Sequence, residues 1–517
     1  MLNPDAIRTT MRRSFSPTAF PDRPVDLLAF IAGLILPLAF APYGLYPLAI
    51  LAPAALFWSW LGCSPRRALW RGLLFGLGTF GVGVSWIQES FQFSFVPPLV
   101  ALALTAGFVG FLACYPAVLG YLLARLSTGG HVQRLLLAFP AAWVMAEWVR
   151  GWFLTGFTWL QLGYSQADSP LRHLAPLGGV YLLSWVCAFS AAALVLVIVD
   201  SGRRRWLGIP LAAAVWIAAL GFAGVRWSEP AGAAQPVALL QGNVSQDLKW
   251  RPDQRAPTLG RYLGLTRGSE DARLIVWPET ALPGFYQSFT DYLARLDSEV
   301  RQRQATILLG VPYRETAGSP VHNSVAVVGG DGGLYHKRHL VPFGEYLPLK
   351  GFLGPLTEVL RIQVSDFSPG PDKPPTLEAA GFTVGVSICY EVTFGREVRE
   401  ALPAAQLLIN VTNDAWFGDS IGPHQHLQIA RMRALETGRY LLRAANTGIS
   451  AVIGPDGRII ARSRQFRTEI LKAMVPPMTG TTPYVRFGDR PVLAALFLLL
   501  AVNITLTRRA RSGPDAA

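Results

Sequence analysis

Charged side chains are scarce in this sequence. Asp, Glu, Lys and Arg make up 15% of its 517 residues, where soluble domains run near a quarter, so much of the chain is built to face something other than water. Cysteine is scarcer still. There are four, three of them in the apolar part of the chain, which excludes a disulfide framework. No His/Cys group has the spacing of metal ligands, so neither a metal nor another cofactor is expected. The charge that is present leans basic, 46 Lys and Arg against 33 Asp and Glu. The arginines cluster beside apolar segments, which favours membrane topology over a nucleic-acid partner.

Apolar residues are plentiful and gathered into runs, at 25–41, 46–62, 68–88, 95–126, 135–152, 176–199, 205–224 and 491–506. Several approach the roughly 20 residues a helix needs to cross a bilayer. The run 95–126 is long enough to span with tilt or a kink near Pro116, and the first two are short. No small-residue cleavage site ends the first run and another apolar run follows at once, so it reads as an uncleaved span. Loop charges alternate along the chain. The N-terminus (Arg8, Arg12, Arg13, Arg23), the loop with Arg66 and Arg67, the loop with Arg125 and Arg134, and Arg203-Arg204-Arg205 are basic. Loops 41–46 and 88–95 carry no Lys or Arg, and 152–175 carries only Arg172. The positive-inside rule then predicts a cytoplasmic segment over 1–24, seven transmembrane helices over 25–225 and an outer domain over 226–488. A last helix over 489–507, followed by Arg508, Arg509 and Arg511, returns the tail 508–517 to the inside.

The segment between the last two spans has a different grammar. Short β-branched runs recur at 237–240, 274–277, 306–310, 324–328, 382–388, 407–411 and 449–453. Helix-like stretches lie near 257–267, 289–304 and 425–437. Turns such as Gly329-Gly330-Asp331-Gly332 and Pro455-Asp456-Gly457 separate others, and the alternation predicts a layered α/β domain. About 260 residues suffice for a sizeable core.

Four stretches here carry chemistry. Gly385-Val386-Ser387-Ile388-Cys389-Tyr390-Glu391 is a buried-strand pattern ending in a thiol, an aromatic and a carboxylate. That arrangement suits a positioned nucleophile, and it equally suits a packed thiol. In Trp277-Pro278-Glu279 the proline stops a strand and leaves Glu279 at the rim, where ligands gather. Lys337 leads a basic run into the apolar turn Leu340-Val341-Pro342-Phe343-Gly344-Glu345. Asn410-Val411-Thr412-Asn413-Asp414-Ala415-Trp416-Phe417-Gly418 runs from a strand into a polar-aromatic loop.

The order Glu279, Lys337, Cys389, each in its motif, resembles the triad of the nitrilase superfamily. A nitrilase domain set between seven spans and one resembles the layout of the bacterial apolipoprotein N-acyltransferase family. Further similar stretches are Gln241-Gly242-Asn243, Leu248-Lys249-Trp250, Gly422-Pro423-His424-Gln425-His426, Ala430-Arg431-Met432-Arg433-Ala434-Leu435-Glu436 and Thr482-Pro483-Tyr484. The resemblance departs at Thr158, where that family would carry Pro. It implies an α-β-β-α sandwich in the periplasm beside about eight helices in the inner membrane, with both termini cytoplasmic. It further implies acyl transfer through a thioester on Cys389, with Glu279 as general base and Lys337 as oxyanion partner. A cation beside the thiol is also expected to help hold the thiolate.

Glu345 would orient Lys337 or share the base role, Glu391 would order the site, and Tyr390 would pack beside the thiol or bind lipid. Trp250, Phe343, Trp416 and Trp159 are the implied substrate contacts, and 343–364 would form either a membrane-facing lid or a packed loop. The implied donor is a phospholipid, phosphatidylethanolamine first. The implied acceptor is the α-amino group of a diacylglyceryl-cysteine apolipoprotein, and the implied state is a monomer. Two rivals stay open, a membrane-tethered amidase in which water replaces the amine and a transporter or receptor with a ligand-binding outer domain. Against the second, the spans carry few ionisable residues, chiefly Glu89, Glu147 and Arg150 near segment ends.

Overall fold

A computed structural model of the chain describes residues 17–93, 96–127, 129–200, 202–348, 350–351 and 366–511. Most of the expected N-terminal segment, the end of the tail and the bulk of the 343–364 stretch lie outside these residues. The chain forms two compact units, one of Met1–Ser85, Leu102–Val225 and Phe487–Ala517, the other of Trp86–Ala101 and Arg226–Arg486.

The first unit is helical. Among the described residues, four helices are long and apolar enough to cross a membrane: Pro98–Leu126, Pro170–Val199, Arg203–Gly224 and Arg490–Arg509. The first two expected spans are shorter. Asp22–Ile35 has 14 residues, about 21 Å of helix against a hydrocarbon core of about 30 Å, and it gives way to a 3-10 turn containing Pro37. Leu48–Ser59 has 12 residues. Pro65–Gly83 opens with Ser64 accepting the Arg67 N–H. Its Arg67 and Arg71 pair with Asp22 and Asp26 at 2.6–2.9 Å. Small residues let these helices approach closely: a Cβ on Gly76 would stand 2.6 Å from the Ala113 Cα.

The second unit contains fourteen strands among the described residues: β1 (Ser228–Pro230), β2 (Gln235–Gln241), β3 (Leu274–Val276), β4 (Thr306–Arg314), β5 (Val321–Val328), β6 (Leu334–His336), β7 (Thr376–Ala379), β8 (Phe382–Ile388), β9 (Leu407–Thr412), β10 (Leu441–Ala445), β11 (Ala451–Ile453), β12 (Ile459–Arg462), β13 (Glu469–Val475) and β14 (Met478–Gly480). Two six-stranded sheets result, β13-β2-β3-β4-β5-β6 and β12-β11-β10-β9-β8-β7, while β1 pairs with β14. Each large sheet has a parallel trio, β2-β3-β4 in one and β8-β9-β10 in the other, flanked by antiparallel strands. Their pairing patterns match strand for strand, an internal pseudo-repeat.

Alternation along the strands assigns the faces. Leu239, Val276, Leu308, Val386, Ile388, Ile409 and Val411 belong to one core formed by both sheets. Ile275, Trp277, Leu309 and Ala238 pack with Leu293 and Val300 of helix Thr290–Gln302 on the outside of the first sheet. Leu408, Leu441 and Ile453 pack with Leu427, Ala430 and Ala434 of helix Gly422–Thr437 on the outside of the second. The unit is an α-β-β-α sandwich. At full burial each large apolar side chain contributes about 1.5–3 kcal/mol.

Candidate active site

Three of the expected site residues follow the ends of strands, at the rim where loops leave the sheets. Glu279 comes three residues after β3, Lys337 one after β6 and Cys389 one after β8. The turn 277–281 is pinned against β4, with Trp277 N–H donating to Leu308 O and Ala281 N–H to Gly310 O, both at 2.8 Å. It lies so close that a Cβ on Gly310 would sit 2.5 Å from Pro278 O and 2.6 Å from Glu279 Cα. Glycine is required there for want of space.

Glu279 is buried, and both of its oxygens are engaged. Oε1 accepts from Asn323 Nδ2 at 2.7 Å and Oε2 from the Asn413 N–H at 2.8 Å. Lys337, 1% exposed, places Nζ 2.7 Å from Glu345 Oε2 and 3.9 Å from Glu279 Oε1. Asn323 Nδ2 also donates to Glu345 Oε1 at 3.0 Å, so one amide bridges the two carboxylates. Glu345 Oε2 accepts the Val341 N–H at 2.8 Å. Burial works to lower the Lys337 ammonium, but Glu345 and Glu279 outweigh it and hold the group above its ordinary value. Burial pushes Glu279 up, Lys337 pulls it back and Glu345 pushes it further.

Cys389 opens a 3-10 turn, Cys389–Thr393, with φ of +50°. A left-handed conformation in a non-glycine residue costs about 1–3 kcal/mol and survives only where neighbours enforce it. Here the Cys389 carbonyl accepts from His426 Nε2 at 3.1 Å, and more distantly from Asn410 Nδ2 at 3.5 Å. Behind His426 lies a fully buried network. Arg443 Nη2 stands 2.7 Å from Asp414 Oδ2, and His426 Nδ1 is 3.1 Å from Asp414 Oδ1. Burial works against the Asp414 charge, yet Arg443 holds its carboxyl well below the usual range. Lys337 pulls the Cys389 thiol down, the expected direction, but against larger opposing effects. Burial first, then the Glu279 carboxylate, pushes Cys389 up, and the opposing pull of Lys337 is the smaller effect.

Glu391 is buried and accepts four hydrogen bonds: Tyr335 OH (2.8 Å), Arg338 N–H (2.6 Å) and His339 N–H (3.2 Å) on Oε1, and Ile388 N–H (2.7 Å) on Oε2. It thereby ties the nucleophile's turn to the backbone just after Lys337. Tyr390 is buried in an aromatic cluster, edge-on to Phe394 (5.1 Å) and His339 (5.6 Å). Trp250, Phe343 and Trp416 are exposed at 52%, 60% and 37%. Trp159 belongs to the helical unit, where it is buried and stacked on Phe157.

Several residues with no assigned role in the sequence reading join this site. Asn323 is the bridge between the carboxylates. Lys249, quoted only as part of a motif, is buried with Nζ 3.4 Å from the Glu279 carbonyl. Asn413 supplies its N–H to Glu279, and His426, backed by Asp414 and Arg443, holds the Cys389 carbonyl. The available signal was polar residues inside or ending apolar strands, where burial demands a partner.

Comparison with known proteins agrees with this architecture. Residues 236–484 match the carbon-nitrogen hydrolase family and residues 32–193 the apolipoprotein N-acyltransferase N-terminal domain. The apolipoprotein N-acyltransferase of Methylococcus capsulatus is 47% identical over 93% of this chain and 96% of its own. That of Vibrio cholerae is 41% identical over 94% of this chain and 98% of its own. Among solved structures, an amidase from Nesterenkonia sp. AN1 is 23% identical, with a TM-score of 0.36, over 48% of this chain and 92% of that one. On its full-length relatives and both matched domains, the chain belongs to the apolipoprotein N-acyltransferase family.

Proposed function

We propose that this membrane protein transfers a fatty acyl chain from a phospholipid, phosphatidylethanolamine first, to the α-amino group of the diacylglyceryl-cysteine at the N-terminus of apolipoproteins. The transfer runs in two steps through a thioester on Cys389. The observation that carries the reading is the Glu279–Asn323–Glu345–Lys337 constellation, whose charges act on the Cys389 thiol. It supplies a proton acceptor with restrained oxygens and an ammonium that stays charged.

In the first step Cys389 sulfur attacks the ester carbonyl while Glu279 takes the thiol proton. Charge developing on the carbonyl oxygen is met by the Lys337 ammonium and the Tyr390 backbone N–H. The C–O bond breaks, Glu279 returns the proton to the departing glycerol oxygen, and lysophospholipid leaves. In the second step the amine nitrogen attacks the thioester. A C–N bond forms, the C–S bond breaks, and the proton shed by nitrogen passes through Glu279 back to sulfur. Glu345 orients Lys337, Glu391 holds the turn, and Tyr390 packs against the aromatic cluster. Trp250, Phe343 and Trp416 offer exposed aromatic surface for lipid.

The loop charges support an eight-span arrangement with residues 226–488 on the periplasmic side of the inner membrane and both termini cytoplasmic. The working form in this reading is a monomer. Incubation of the purified protein with labelled phospholipid leaves a hydroxylamine-sensitive acyl group on Cys389, absent from Cys389→Ala. Wild type that binds lipid yet never acquires the adduct refutes the reading. Rapid release of free fatty acid without acceptor favours a hydrolase instead. Thiol labelling that reaches the 226–488 region only from the cytoplasm refutes the topology.

A further inference from the structure

The active-site turn is touched by a second buried lysine. Lys249 follows β2 in the chain and is 2% exposed. Its Nζ makes one hydrogen bond, 3.4 Å to the main-chain carbonyl of Glu279, and no ion pair within 4.0 Å among the described residues. Beyond that contact it stands 6.0 Å over the Trp250 ring. A buried ammonium held this loosely is a net cost to folding. Burial pushes Lys249 down to about 8, against the pull of the Glu279 carboxylate.

We propose that Lys249 is a positioning residue for the general base: its buried ammonium anchors the turn carrying Glu279 and balances the carboxylates, so that Glu279 is ionised when the thiol must be deprotonated. Charge counting supports this role. The groups bearing on Glu279 are Lys337, Glu345 and Lys249, with the Cys389 thiol feeling the same carboxylate. Two ammoniums then face two carboxylates. Without Lys249 one cation faces two anions, and a buried like-charge pair responds by taking up a proton. That proton would land on the group that has to accept one.

The inference rests on Glu279 being the base, and the test separates the two ideas. The full-length protein in detergent is mixed with labelled phospholipid, and the rate of Cys389 acylation is followed from pH 5 to pH 10 in wild type, Lys249→Met, Lys249→Arg and Glu279→Gln. In Lys249→Met the acid limb is expected to move up by about one pH unit, which lowers the rate along that limb about tenfold. The same variant, of similar length and apolar, is expected to unfold at or above the wild-type temperature. Lys249→Arg keeps the charge and brings the limb back toward wild type. An unmoved acid limb in Lys249→Met overturns the proposal, and so does a loss of folding, which would mark the lysine as structural. If Glu279→Gln acylates with a wild-type profile, the base assignment has failed instead.

Discussion

Gly310 offers the sharpest test of how the site is built. An added Cβ would stand 2.5 Å from Pro278 O and 2.6 Å from both Glu279 Cα and Thr280 N, where ordinary contact begins at 3.4 Å. All three neighbours are backbone, so no flexible side chain can yield. The turn must retreat by 3.4 − 2.6, or 0.8 Å, at Glu279 itself. Overpacking of this kind costs about 1–3 kcal/mol of stability. A displacement near 1 Å in a reacting group can cost about a hundredfold in rate. Gly310→Ala is therefore expected to keep the fold with a modest fall in melting temperature, and to acylate Cys389 about a hundredfold more slowly. Gly260, in the helix Pro252–Arg267, has nothing within 4 Å of its would-be Cβ. Gly260→Ala serves as the control, with unchanged rate and stability equal or higher by about 0.5–1 kcal/mol. A Gly310→Ala protein that acylates at the wild-type rate would show that the close approach does not hold the base, and the argument from packing would fall.

Other perturbations follow from the same contacts. Asn323→Leu removes the amide shared by Glu279 and Glu345. The acid limb of the acylation profile should then rise by up to about one pH unit, since a hydrogen bond to the charged form is lost; a rate–pH series checks it. Arg443→Met takes the guanidinium from the buried Asp414, which keeps His426 and Thr412 as partners, at a cost of up to about 3–5 kcal/mol, read as a lowered melting temperature. The pH dependence should also change sign. In wild type the depressed Asp414 carboxyl adds stability that is complete above the unfolded value near about 4 and is lost as the pH falls below it. In Arg443→Met the largest counterweight to burial is gone and His426 remains, so that carboxyl should rise; if burial then prevails, melting temperature should increase on going from neutral to mildly acidic pH.

Much of the second unit could be read from periodicity. The runs ending at Glu279 and Cys389 alternate apolar residues, bounded by Pro in one case and by the thiol in the other, and both form strands. The strand β10 was not expected because its sequence, Leu-Leu-Arg-Ala-Ala, carries a charge in the middle; the tertiary partners Asp414 and Asn410 make a buried Arg443 tolerable. Asn323 was missed by a single residue, because the apolar pattern of β5 begins at Ser324 while the paired backbone begins at Val321. The pull of Lys337 on the Cys389 thiol was legible from the motif, whereas the opposing push of burial and of the Glu279 carboxylate depends on tertiary packing that a motif does not show. In the helical unit, composition marked the apolar runs, yet among the described residues four helices are long and apolar enough to cross a membrane; Pro37 cuts the hydrogen-bond ladder of one run, and Arg66, Arg67 and Arg71 charge the helix Pro65–Gly83.

The proposed catalytic groups are divided between the two sheets. Glu279, Asn323 and Lys337 leave the first sheet, while Cys389 and Asn413 leave the second. Glu279 reaches across to the Asn413 N–H, and Glu391 reaches back to the Arg338 and His339 N–H groups. Sliding one sheet over the other by an ångström would therefore part nucleophile from base without breaking a single strand pair. Turnover in this architecture acts as a gauge of shear at the apolar seam, and warming should silence the enzyme while its β-structure is still whole.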